Sequence, residues 1–185
     1  MTTYSLQHAV DQIGKAAEAM GAIRTEYIQK VKAIKNDIRL SPTGQKQALD
    51  ELYAEMKERH AKARANFVNT MNSEQGRLRD VAFGVSTEAQ RNAVARAAAT
   101  KTREELQNLY NLALTTSDSV LVSAVGAQAY MVGEWGMLNS IAERDAKVSD
   151  FVEFERHFGR LRTNDQKMEQ NMLVSALIDP SGVTA

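Results

Sequence analysis

Leu40-Ser41-Pro42-Thr43-Gly44 is the strongest interruption in the N-terminal half of this chain. Ser41 is a good N-cap and Pro42 a good first helical residue, because proline lacks only an N–H that a first turn leaves unpaired anyway. Pro42 also disfavours helical geometry at Ser41, so any helix arriving from the N-terminal side must stop there. A connection this short makes the two flanking helices antiparallel neighbours.

On the N-terminal side, Leu6, Val10, Ile13, Ala17, Met20, Ile23, Tyr27, Val31, Ile34 and Ile38 recur every three or four residues. That narrow stripe predicts a first helix over about 4–39, with a seam of coiled-coil type. Gly14 and Gly21 flank the seam, where they invite close approach by a partner helix. Lys30, Lys32, Lys35 and Arg39 place cations at the negative end of the helix dipole. On the C-terminal side, Leu49, Leu52, Met56, Ala63, Phe67 and Met71 predict a second helix from Pro42 to about Phe83, resumed by Leu78 and Val81 after a kink near Ser73 and Gly76. Pro180 is the one other proline, so little opposes long helices in the rest of the chain.

Gly84 then suggests a left-handed helix end. Thr87 and Gln90 form a capping box for a third helix running to about Leu114. Residues 115–119 read as a break before a fourth helix, from Ser119 to about Lys147, that is apolar nearly all round. On it Gly126, Ala129, Gly133, Gly136 and Ser140 make a face of small residues at helical spacing, with Trp135 on its flank. A fifth helix carries Phe151, Phe154 and Phe158 on one stripe, and Thr163 with Gln166 begins a last one. The expected fold is therefore all-α: a long antiparallel, coiled-coil-like hairpin over 1–84, a third helix over 85–114, and apolar C-terminal helices with a short tail over 115–185, forming one structural unit.

Composition narrows the function by exclusion. There is no cysteine, so disulfides, thiolate metal sites and a cysteine nucleophile are absent. The three histidines, His8, His60 and His157, stand in no Glu-x-x-His or His-Glu-x-x-His pattern. Glu153 and His157 share a helix face, best read as a solvated ion pair. No phosphate-binding glycine loop and no Gly-x-Ser-x-Gly elbow occurs. These absences predict a protein that is not an enzyme and needs no cofactor or metal.

Charge is balanced, with 23 basic and 23 acidic residues. Residues 1–116 hold 17 basic and 13 acidic residues, and 117–185 hold 6 and 10, so the two parts carry +4 and −4. Lys57, Arg59, Lys62 and Arg64 are interleaved with Glu55 and Glu58, which argues against a nucleic-acid surface. The least charged stretch, 119–133, is shorter than the roughly 20 apolar residues a membrane span needs, and the first residues show no secretory signal.

What remains is interaction. Phe151, Phe154 and Phe158 are a candidate helix-in-groove stripe, with core packing as the first explanation. Gly126, Gly133, Gly136 and Trp135 are candidates for close helix packing, within the fold or between copies.

The segment Ile38-Arg39-Leu40-Ser41-Pro42-Thr43-Gly44-Gln45-Lys46-Gln47-Ala48-Leu49-Asp50-Glu51-Leu52 resembles one found in small helical proteins from the structural gene clusters of tailed bacteriophages. In those proteins a long helix ends at a Leu-Ser-Pro-x-Gly turn and a charged helix follows. The resemblance implies a non-enzymatic virion or assembly component, located in the virion or the host cytoplasm. Its partners would be copies of itself and a larger protein assembly. The alternative from the residues is a helical adaptor or regulator that touches nucleic acid.

Overall fold

The computed structural model describes residues 5–159. Among these are seven α-helices and no strand: α1 (Leu6–Asn36), α2 (Pro42–Phe83), α3 (Glu88–Ala98), α4 (Arg103–Thr115), α5 (Ser119–Val132), α6 (Trp135–Ala142) and α7 (Ala146–Phe154), the last running into a π-helical turn at Glu155–Gly159. The chain is all-α, as expected. The expected last helix from Thr163 lies outside the described residues. Contacts divide the chain into two compact units, one holding Val10–Asn72 and the other Ser73–Gly159 with the start of α1.

In Val10–Asn72, the Ser41 hydroxyl accepts from Gly44 N–H at 3.2 Å, which is the cap that starts α2. Tyr27 of α1 is buried with Leu52 and Met56 of α2, and Ile23, Val31, Ile34 and Tyr53 pack around them. Glu26 receives both terminal nitrogens of Arg59, at 3.0 and 2.8 Å, and Lys30 at 2.8 Å. Those cations hold the Glu26 carboxyl down to about 2, the Arg59 hydrogen bond first among the causes. The buried stripe of α1 differs from the expected one by a step. Ala9 and Ala16 are buried, while Val10 and Ala17 are exposed. Among the described residues Gly14 and Gly21 have open space where a side chain would sit, so no described helix approaches closely there.

No break interrupts α2 near Ser73 and Gly76. Its stripe instead contains two polar members. His60 fills the step between Met56 and Ala63, and Glu74 fills the step between Met71 and Leu78, and both are buried. Burial, with Arg64 nearby, pushes the His60 imidazole below its ordinary value. Burial pushes the Glu74 carboxyl up against the opposing effect of Arg77. Glu74 Oε1 accepts from Arg77 at 3.2 Å, while Oε2 has no hydrogen-bond partner among the described residues.

In the other unit, α3 and α4 pack on α5, α5 on α6, and α6 on α7. Leu6 N–H donates to Asp150 at 3.2 Å, tying the first turn of α1 to α7. Two expected long helices are each broken in two. The third ends at Ala98 because Thr102 opens a new capping box: its hydroxyl accepts from Glu105 N–H at 3.1 Å, and the Glu105 carboxylate accepts from Thr102 N–H at 3.3 Å. The fourth ends at Val132 because Gly133 adopts φ 78°, left-handed geometry that stops a helix. Gly84, expected to be left-handed, is not; glycine is needed there because a side chain would collide with the Asp80 carbonyl.

Candidate interaction surface

The α5–α6 junction is where the structure gathers three of the sequence candidates, Gly133, Gly136 and Trp135. Gly133 N–H donates to the Tyr130 carbonyl at 3.2 Å and Glu134 N–H to the Ala129 carbonyl at 2.8 Å. This pair of bonds is a Schellman motif, which satisfies the last carbonyls of α5 and fixes the exit direction of the chain. Trp135 N–H donates to the Gly133 carbonyl at 3.0 Å, tightening the turn further. The side chains that the turn throws outward are large and apolar: Met131 is 76% exposed, Val132 55% and Trp135 45%. Among the described residues nothing stands close to where a Cβ would sit at Gly133 or Gly136.

Beneath this surface runs a chain of aromatic rings. Trp135 meets Tyr130 edge-on at 5.9 Å, Tyr130 meets Phe151 at 4.9 Å, and Phe151 meets Phe83 at 5.4 Å. Such edge-to-face pairs add about 0.5–1.5 kcal/mol each beyond area burial. They couple the exposed indole to the centre of the unit. The Tyr130 hydroxyl accepts from Gln75 at 3.1 Å and donates to Glu155 at 3.2 Å, and Gln75 also donates to Glu155. Glu155 opens the π-helical turn, so the widened turn is where α7 delivers a carboxylate to the tyrosine. Glu134 sits half-buried at the rim, paired with Arg103 at 3.2 Å.

The remaining candidates lie inside the unit, as the first reading of each had it. Phe151 and Phe154 are buried, and Phe158 is half-buried against Phe154 with ring centroids 5.0 Å apart. Their stripe is core, filled from within, because α7 turns it onto the rest of the unit. Gly126 is also internal: a Cβ there would lie 2.9 Å from Phe83. The five small residues do not form one helix face, since Gly133 divides them between α5 and α6. Ala129 is buried with Gly126, whereas Gly133, Gly136 and Ser140 are exposed.

Met131 and Val132 were absent from the sequence candidates. The signal that finds them is the left-handed glycine itself. Once α5 stops at Val132, apolar residues just before the stop lose a helix to pack on.

Among the described residues no group of three His, Asp or Glu side chains is arranged to hold a metal ion. Glu153 pairs with Arg156, and its carboxylate lies 3.8 Å from His157. Among them no helix is long and apolar enough to cross a membrane. Comparison with protein-family models, curated proteins and solved structures found no match to this chain.

Proposed function

We propose that this is a non-enzymatic structural protein that works by associating with copies of itself inside a larger assembly, as a bacteriophage virion or assembly component. The observation that carries the reading is the apolar cluster of Met131, Val132 and Trp135, presented on a turn braced by the Gly133, Glu134 and Trp135 N–H groups. Exposed apolar groups on a rigid support behave as binding anchors, since little entropy is lost when they are covered. Zero net charge supports the same reading, because two copies approach without long-range repulsion. The phage assignment rests on the resemblance over residues 38–52.

In this reading α1 and α2 form a long antiparallel hairpin. The pairing of Glu26 with Arg59, and of Gln45 with the carbonyls of Lys35 and Asp37, fits that arrangement. Two basic residues of α2 are already engaged by acids, Arg59 by Glu26 and Glu55 and Lys62 by Glu58, which supports this reading over the nucleic-acid alternative.

The test is the mass of the protein by light scattering across a concentration series, for the natural chain and for Met131→Lys. Association that weakens in the variant and survives high salt supports apolar self-contact. Association only with added DNA, lost at high salt, would favour the nucleic-acid alternative.

A further inference from the structure

The chain has no cysteine, so all of its sulfur is methionine thioether. Peroxides convert a thioether to the sulfoxide, and solvent access decides which methionine they reach. Five methionines lie among the described residues, and their surroundings differ sharply. Met56 is 0% exposed, Met71 2% and Met137 6%, so all three are core residues. Met20 is half-buried on α1. Met131 is 76% exposed, on the last turn of α5. A peroxide in solution meets the Met131 sulfur ahead of those four.

The setting of Met131 makes that reactivity consequential. It belongs to the exposed apolar cluster with Val132 and Trp135. As a thioether it is flexible, unbranched and apolar, and it moulds to whatever covers it. As a sulfoxide it is polar and chiral, and covering it strips water from an oxygen that then needs a new partner. The turn that holds it is built from backbone bonds, Gly133 N–H to the Tyr130 carbonyl at 3.2 Å and Glu134 N–H to the Ala129 carbonyl at 2.8 Å. None of these bonds involves the sulfur. Oxidation at Met131 therefore changes the surface and leaves the fold standing, whereas the same oxygen at Met56, Met71 or Met137 would enter a filled interior.

We infer that Met131 is a reversible modification site: oxidation of its thioether by peroxide releases the apolar cluster from a second copy, and reduction restores the contact. This rests on the self-association proposed above and names how that contact is regulated. In the forward step the sulfur attacks one peroxide oxygen, and an S–O bond forms as the O–O bond breaks. The sulfur loses two electrons, and the departing hydroxide takes a proton and leaves as water. In the return step a dithiol supplies two electrons and two protons, the sulfoxide oxygen leaves as water, and the dithiol becomes a disulfide. The chain has no thiol of its own, so that reductant comes from outside, through the sulfoxide reductases that each act on one epimer.

The test treats the natural chain and Met131→Leu with dilute hydrogen peroxide, removes the excess with catalase, and follows both by light scattering and peptide mass spectrometry. Leucine keeps an apolar, helix-compatible side chain at 131 without the sulfur, and every other methionine is present in both chains. In the natural chain Met131 should gain one oxygen before Met20, Met56, Met71 or Met137 does. Association should then weaken at least about 10-fold, the effect of losing one interface anchor. Treatment with both sulfoxide reductases and a dithiol should restore it, and circular-dichroism melts should be unchanged throughout. Met131→Leu should associate like the natural chain, before and after peroxide. Oxygen reaching a buried methionine or Trp135 first overturns the site. A natural chain that associates undiminished with Met131 fully oxidised, or a Met131→Leu chain that dissociates equally under peroxide, overturns the switch and leaves self-association standing. An untreated natural chain that is monomeric at every concentration overturns self-association and the switch with it.

Discussion

Gly126→Ala should destabilise this protein although Gly21→Ala should stabilise it, and the contrast measures how tightly the Ser73–Gly159 interior is filled. Both glycines lie inside long helices, where alanine gains about 1 kcal/mol from propensity alone. At Gly21 the described residues leave open space around the new Cβ, so that gain is kept. At Gly126 the new Cβ would lie 2.9 Å from Phe83 Cε1 and 3.4 Å from Ile141 Cδ1. Phe83 cannot retreat freely, because it is buried and set edge-on against Phe151 at 5.4 Å. Overpacking of this kind costs about 1–3 kcal/mol, which leaves Gly126→Ala about 1 kcal/mol less stable than the natural chain. The two variants should therefore differ by about 2 kcal/mol. Urea unfolding at one fixed protein concentration reads this as midpoints moving in opposite directions with unchanged slopes. If Gly126→Ala is stabilised as much as Gly21→Ala, Phe83 does not sit against α5, and the aromatic chain behind Trp135 is wrongly drawn.

Thr102→Ala should cost about 1 kcal/mol in a thermal melt, since the hydroxyl that accepts from Glu105 N–H at the start of α4 is lost. Glu74→Met should raise stability at neutral pH by about 1 kcal/mol, because a buried carboxylate oxygen without a partner is removed. The sign follows from its raised pKa. The folded chain keeps the Glu74 proton to higher pH than the unfolded chain, so stability falls as pH rises above the ordinary value of 4.5, and the variant should lose that slope. Glu26 behaves oppositely. Its contribution is present above 4.5 and is lost as pH falls toward about 2, and an NMR titration of Arg59→Met should show the Glu26 carboxyl moving back up.

The sequence made some elements legible because their signals are local. Ser41 and Pro42 carry their own geometry, and α2 runs over the expected Pro42–Phe83. Thr87 and Gln90 cap α3 as their spacing implies. The break before α4 was written equally plainly in Thr102-Arg103-Glu104-Glu105, but the surrounding alanines made a continuous helix the simpler reading. Gly133 was harder, because a glycine among small residues fits a close-packing face as well as it fits a left-handed stop. His60 and Glu74 show the limit of apolar periodicity. A stripe that skips a rung predicts a buried position there, yet the residue found is polar, and only tertiary contacts reveal that it is enclosed. The phenylalanine stripe of α7 was visible as a stripe, but which side it faces is a property of the partners in space. Met131, Val132 and Ile38 become surface features only once the helix ends beside them are fixed.

Association between copies through exposed apolar side chains is read out by light scattering combined with small-angle X-ray scattering. Across a concentration series the mass should exceed that of a single 185-residue chain, rise with concentration and fall when Met131 is replaced by lysine. The mass of one chain at every concentration, identical in both proteins, would contradict it.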